Sequence, residues 1–222
     1  MNATPTRRVL LAGATGLVGG HLLQQLLADS GVSEVHVVGR RAPAIRHPML
    51  KVHVVDFRRL PALPAVDEVY LALGTTIRQA GSQAAFRAID LEANLAVARA
   101  AAAAGARRVG LVSAAGADAR STVFYSRVKG ELEQALAELN LDTLVIARPS
   151  LLLGDRNGLG QPPRLGERLA MPLARLLAPV LPGAWRPVQA RDVARALAVT
   201  TPRARGTVLL SSGELIRAAA GH

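Results

Sequence analysis

The sequence predicts a doubly wound α/β fold, a parallel sheet with helices on both faces. Three features predict it. Short, continuously apolar runs recur along the first two thirds of the chain, separated by longer stretches with helical spacing. A glycine triplet follows the first of those runs, where a strand would turn into a helix. Half of the 222 residues are hydrophobic, enough to fill a core on either side of one sheet. A disordered or fibrous chain is excluded by the same figure.

The elements follow in order. Residues 9–12 form the first strand, and the helix over 17–29 carries Leu22, Leu23, Leu26 and Leu27 as one apolar stripe. EVHVV at 34–38, KVHVV at 51–55 and EVYLAL at 68–73 are three further strands. A long helix is expected from about 82 to 104, its alanine tract allowing close packing on the sheet. RVGLVS at 108–113 is the fifth strand, 124–139 a helix and DTLVIAR at 142–148 the sixth strand. After Pro149 the pattern loosens into Gly- and Pro-rich loop composition at 154–166. An amphipathic helix interrupted by Pro172 is expected near 164–178, then an extended piece at 186–189 and a helix starting near Asp192, read as its N-cap. TVLLS at 207–211 is the last strand. The chain is taken as a single Rossmann-like domain, 1–150 forming the core and 151–222 a small cap with the final strand.

Composition removes several functions. Without cysteine there are no disulfides, thiolate metal sites or cysteine nucleophiles. The net charge of +11 invites nucleic acid, but the arginines are scattered and aromatics make up 3%, so stacking platforms are scarce. Nucleic acid is not expected as the primary partner. Arg7-Arg8 ahead of VLLAGATGLVGG imitates a secretory signal, yet glycines interrupt that run and it passes directly into amphipathic HLLQQLLADSG. No later stretch offers ~18 apolar residues free of charge and proline, so no membrane span is expected. The expected location is the cytoplasm. The five histidines lack metal-binding spacing, and neither G-x-S-x-G nor G-x-x-x-x-G-K occurs.

Gly13, Gly16 and Gly19 give G-x-x-G-x-x-G at the strand-to-helix turn. Glycine permits the tight bend and lets backbone N–H groups approach a diphosphate, with Thr15, Leu17 and Val18 completing the loop. An NAD site places a carboxylate ~20 residues on, for the ribose 2′-OH. Here Gly39 is followed by Arg40 and Arg41, whose guanidiniums suit a 2′-phosphate, so NADP(H) is preferred over NAD(H). Asp56 could accept from the adenine amino group with Phe57 packed nearby, unless Phe57 is simple core. Leu73, Gly74, Thr75 and Thr76, at the end of the fourth strand, suit a cofactor wall.

Among 27 Lys and Arg residues only Lys51 and Lys129 are lysines, and Lys129 stands four residues after Tyr125, one of two tyrosines. LAGATGLVG, VVGRR, LALGTTIRQAGSQAAFRAID, LVSAAGAD, FYSRVKGELE and IARPSLLLGDR together resemble the short-chain dehydrogenase/reductase superfamily in its atypical, NAD(P)-binding form. Within it, they resemble the branch of the Tat-interactive-protein oxidoreductase and its small bacterial relatives, over about residues 8–200. The resemblance implies that Tyr125 is the general acid/base, with the Lys129 ammonium favouring its phenolate and holding the nicotinamide ribose. It implies that Ser113 orients a substrate carbonyl. Relatives carry two adjacent serines where this chain has Ser113 and Ala114, so the serine position lies open between the two. Pro149 and Ser150 would hold the nicotinamide carboxamide and Leu152 and Leu153 would wall the pocket. Arg156 would grip an anionic substrate or lie on the surface. Three functions remain: an NADPH-dependent oxidoreductase for a carbonyl or alcohol, an NADP(H)-binding regulatory or scaffold protein, and a nucleotide-sugar epimerase or dehydratase. The expected partner is a small-molecule substrate, with room for a homodimer.

Overall fold

The computed structural model describes residues 6–154 and 186–221. Its strands in chain order are β1 (Arg7–Ala12), β2 (Val32–Gly39), β3 (Leu50–Val54), β4 (Glu68–Leu71), β5 (Arg108–Val112), β6 (Thr143–Arg148), β7 (Leu152–Leu153), β8 (Val188–Gln189) and β9 (Gly206–Ser211). Among the described residues, seven of them pair in the order β3-β2-β1-β4-β5-β6-β9, every pairing parallel. β7 and β8 form a separate two-stranded ribbon. This is a doubly wound, Rossmann-like fold.

Alternation along β1 explains the two helix layers. Val9 and Leu11 face one side and Leu10 and Ala12 the other, all wholly buried. The first side is covered by α1 (Leu17–Ala28), α6 (Ala190–Thr200) and α7 (Ser212–Ala220), through Leu22, Leu26, Val193, Leu197 and Leu215. The second is covered by α3 (Gln83–Arg87), α4 (Asn94–Ala103) and α5 (Phe124–Ala137), through Phe86, Val97, Ala101, Val128 and Leu132. Each leucine so buried contributes about 2 kcal/mol relative to exposure.

The structure departs from the sequence reading in four places. The long helix expected over 82–104 begins where expected, with the Ser82 hydroxyl accepting from the Ala85 N–H. It is interrupted by a π-helical turn at Ala88–Ala93, and a separate short turn, α2 (Ile77–Ala80), precedes it. The N-cap of α6 is Gln189, so Asp192 lies inside the first turn, where its charge faces the positive end of the helix. α7 was not expected, although Ser211 and Glu214 form the capping box that announces it. Residues 188–220, expected as part of a small cap with the final strand, place β9 on the edge of the main sheet and α6 and α7 in its helix layer. The expected cap helix at 164–178 and Arg156 lie outside the described residues. Among the described residues no helix is long and apolar enough to cross a membrane.

Candidate functional site

β1 is the switch point of the sheet, with β2 on one side and β4 on the other, and a crevice opens past its carboxyl end. The chain turns there at Gly13, whose φ is +95° and where a Cβ would lie 2.4 Å from the Ala72 carbonyl oxygen. Gly16 is the N-cap of α1, its N–H donating to the Gly13 carbonyl at 2.9 Å, and no side chain caps the helix. A Cβ on Gly19 would lie 2.0 Å from that same carbonyl oxygen, so α1 starts pressed against the loop. The N–H groups of Leu17, Val18 and Gly19 precede the first complete helical turn and have no helical acceptor of their own. An uncapped helix start with a cradle that a side chain would fill fits a dinucleotide diphosphate.

Two adjoining cavities flank this loop. Thr15, Gly16, Arg40, Arg41, Asp56, Phe57, Leu73 and Gly74 line the first. Gly16, Leu17, Val18, Arg40, Leu73, Gly74, Thr75, Thr76, Ser113, Tyr125, Lys129 and Leu152 line the second. Gly16, Arg40, Leu73 and Gly74 belong to both, which gives an elongated cleft with the glycine loop at its middle, the shape a dinucleotide requires. Arg40 and Arg41 are exposed at its rim. Asp56 caps a short 3-10 turn by accepting from the Arg58 N–H at 3.0 Å, and Phe57 both packs against the core and faces the cavity. Arg58, which the sequence reading did not single out, also lines that cavity.

Tyr125 sits half-buried in the first turn of α5, its ring 5.5 Å from that of Phe86. Lys129, one turn on, is buried, with its ammonium 2.7 Å from Asp90 Oδ1. The other lysine, Lys51, is half exposed on the edge strand and paired with Glu34 at 2.7 Å. Asp90 Oδ2 accepts from the Thr75 N–H at 2.9 Å. Asn94, one turn past Asp90, donates to the carbonyls of Leu73, Ile89 and Asp90 at 3.1–3.3 Å. Sequence reasoning missed both residues. The signal was present: Phe86, Asp90, Asn94, Val97 and Ala101 share one core-facing stripe, on which a carboxylate and an amide need partners.

Ser113 is brought to the second cavity, but its hydroxyl donates to the buried carboxylate of Glu133. Glu133 is in turn clamped by Arg148, whose Nε lies 3.1 and 3.2 Å from its two oxygens. Hydrogen bonding to Glu133 holds the Arg148 guanidinium above its ordinary value, outweighing burial. The next residue, Ala114, is buried and offers a methyl group only. Pro149 and Ser150 line neither cavity. The Pro149 carbonyl accepts from the Ala115 N–H at 2.9 Å, and the Ser150 hydroxyl donates to the Arg186 carbonyl at 2.8 Å. Among the described residues, no group of three or more His, Asp or Glu could hold a metal ion.

A parallel sheet with an uncapped glycine cradle at its switch point, set in the middle of one elongated cleft, defines a dinucleotide-binding protein. A family model described as NAD(P)H-binding matches residues 13–167, and the chain belongs to that family. Protein HTATIP2 of Rattus norvegicus is 36% identical over 214 residues, 93% of this chain and 83% of that protein. Protein fmp52, mitochondrial, of Emericella nidulans is 36% identical over 158 residues, 67% of this chain and 68% of that protein. The fungal relatives are named as mitochondrial proteins, which overturns the expectation of a cytoplasmic location. Among solved structures, MoeE5 in complex with UDP-glucuronic acid and NAD superposes with a TM-score of 0.69 at 22% identity, over 96% of this chain and 81% of that one. A UDP-galactose 4-epimerase gives 0.67 at 18%, over 91% and 76%. At these identities the structures establish the fold.

Proposed function

We propose that the chain is an NADP(H)-dependent oxidoreductase acting on a small carbonyl or alcohol substrate. The observation that carries this reading is the shared cavity: the first turn of α1, Tyr125 and Lys129 line one space. When bound, the nicotinamide would supply or accept the hydride. The backbone N–H groups at the start of α1 would hold the diphosphate, and Arg40 and Arg41 a 2′-phosphate. Lys129 would hold the nicotinamide ribose, Leu152 would help exclude water, and Tyr125 would give a proton to, or take one from, the substrate oxygen. With its hydrogen directed to Glu133, Ser113 would accept a hydrogen bond from a neighbouring hydroxyl rather than donate one to a carbonyl.

The test is direct. NADPH binding is measured by calorimetry, and cofactor oxidation or reduction is then followed over a panel of carbonyls and alcohols. Tyr125→Phe should bind NADPH as before and lose turnover, whereas unchanged turnover removes Tyr125 from the mechanism. A second reading, a cofactor-binding regulatory protein without turnover, is favoured by one observation, the commitment of the Ser113 hydroxyl beside Ala114. Tight NADPH binding with no reaction over the whole panel would select it.

A further inference from the structure

Among the described residues β3 pairs with β2 alone, as one edge of the sheet. On one face its Val52 and Val54 remain 40% and 64% exposed, so hydrophobic burial secures it weakly. Its other face carries a chain of polar contacts to β2. Lys51 Nζ lies 2.7 Å from Glu34 Oε1, Glu34 Oε2 lies 3.1 Å from His36 Nε2, and His36 Nδ1 lies 3.0 Å from His53 Nε2. His36 is buried and His53 half-buried. Both strands run into the first cavity, which Gly39, Arg40 and Arg41 line at the end of β2 and Asp56, Phe57 and Arg58 line past β3. The Val55 N–H donates to the Gly39 carbonyl at 3.0 Å and carries the β2–β3 ladder up to that cavity.

We propose that His36 and His53 form a proton-operated latch, which fastens β3 and the Asp56–Arg58 wall of the cofactor cleft while one hydrogen lies between the two rings and releases them when a second is added. Two imidazole nitrogens 3.0 Å apart have room for one hydrogen, with one nitrogen donating and the other accepting. A second proton at this contact leaves two N–H groups face to face, both rings charged and neither nitrogen an acceptor. Glu34 lies on the side of His36 away from His53, so His36 can carry a first proton without breaking the contact. Hydrogen bonds from Lys51 and then His36 hold the Glu34 carboxyl below its ordinary value, so it stays ionised while the pair titrates. Burial, followed by the charges of His36 and Lys51, holds His53 below its ordinary value of 6.5. The folded chain therefore takes up this proton less readily than the unfolded one. The latch contributes stability above 6.5 and loses it as pH falls through the lowered value. Other charges around the pair have partners or face water. β1 sets Arg8 beside Glu34, and Arg8 lies 3.7 Å from Asp67. Past β3, Asp56 lies 3.5 Å from Arg58 and Arg59 is exposed. Ahead of β3, His47 Nδ1 accepts from the Met49 N–H at 3.2 Å. α1 covers the opposite face of the sheet.

The test is amide hydrogen exchange in the cofactor-free protein, read by mass spectrometry at about pH 7.5 and about pH 5 and corrected for the intrinsic rate. Between the two, protection of β3 should fall about tenfold relative to the central strand β1. His53→Gln, which keeps a hydrogen-bonding side chain but takes up no proton, should remove that fall. Equal protection of β3 at both pH values, or the same fall in His53→Gln, would overturn the latch. Should His53→Gln fail to fold, the ring-proton resonance of His53 is titrated in the unaltered chain. Its midpoint should lie below 6.5 and coincide with the loosening of β3, and a midpoint at or above 6.5 is fatal. The consequence for the cofactor rests on the reading of the cleft as an NADP(H) site. NADPH affinity should weaken more steeply with acid in the unaltered chain than in His53→Gln, since the 2′-phosphate titrates equally in both. Parallel curves would overturn the link between latch and cleft. The exchange readout requires no cofactor, so the latch and the NADP(H) reading fail separately.

Discussion

Lys51 and Lys129 show one side-chain type in two roles, a solvated charge on an edge strand and a buried one in a cavity wall. The sequence separates them only through Tyr125, four residues before the second. Residues at helical spacing were legible in this way, and so was the pair Arg40 and Arg41. The bond between Ser113 and Glu133 was not, since it spans 20 residues and joins a strand end to a helix that only the sheet brings together. Two outcomes belong at this scale. Tyr125→Phe should lower turnover by about 10²-fold or more while leaving the NADPH dissociation constant within about twofold. Arg40→Ala together with Arg41→Ala should weaken NADPH by about 10- to 100-fold and NADH little, as expected for losing charge-assisted hydrogen bonds to a 2′-phosphate. Equal losses for both cofactors, measured by titration calorimetry, would remove the arginines from cofactor choice.

At the scale of elements, two helices are placed by glycines. A Cβ on Gly19 meets the Gly13 carbonyl, and a Cβ on Gly130 would lie 2.1 Å from the Ala119 nitrogen. α5 therefore packs directly on the 118–119 loop, which fixes the angle at which it presents Tyr125 and Lys129. Gly130→Ala should cost about 3 kcal/mol of stability, read in denaturant melts, because backbone rather than a flexible side chain stands in the way. A loss of a few tenths would mean that the loop yields. The existence of both helices was legible from apolar spacing. The π-helical turn was not, because Ala, Ile, Leu and Glu suit an ordinary helix equally well and only the partners of Asp90 and Asn94 select the wider turn. α7 was legible in its Ser-x-x-Glu start and was overlooked because only a short stretch follows.

For the whole molecule, the strands through β6 and their alternation were readable from apolar runs, whereas the placing of β9 beside β6 was not, since no local pattern states which edge a last strand will join. The end of the sheet away from the cleft carries its own buried charge. Glu68 is wholly buried, bonded to Arg7 at 2.7 Å and to the Tyr70 hydroxyl at 3.0 Å. Burial pushes its carboxyl up, and Arg7 only partly offsets this. The folded chain thus holds this proton more tightly than the unfolded one does. Its contribution to stability is present below the ordinary value of 4.5 and is lost as pH rises through the raised value. Glu68→Gln should flatten that part of the dependence of melting temperature on pH just above 4.5, as followed by stepped-pH calorimetry, and parallel curves would exclude Glu68 as its source. The packing of α6 along α1 has a further bearing, on biosynthesis. Ribosomes release the rear support of the nucleotide cradle long after the first helix itself, so a nascent chain carries the bare oily flank of that helix until residues 190–220 have emerged. Chaperones that shield such surfaces should accordingly hold on to versions lacking residues 188–220.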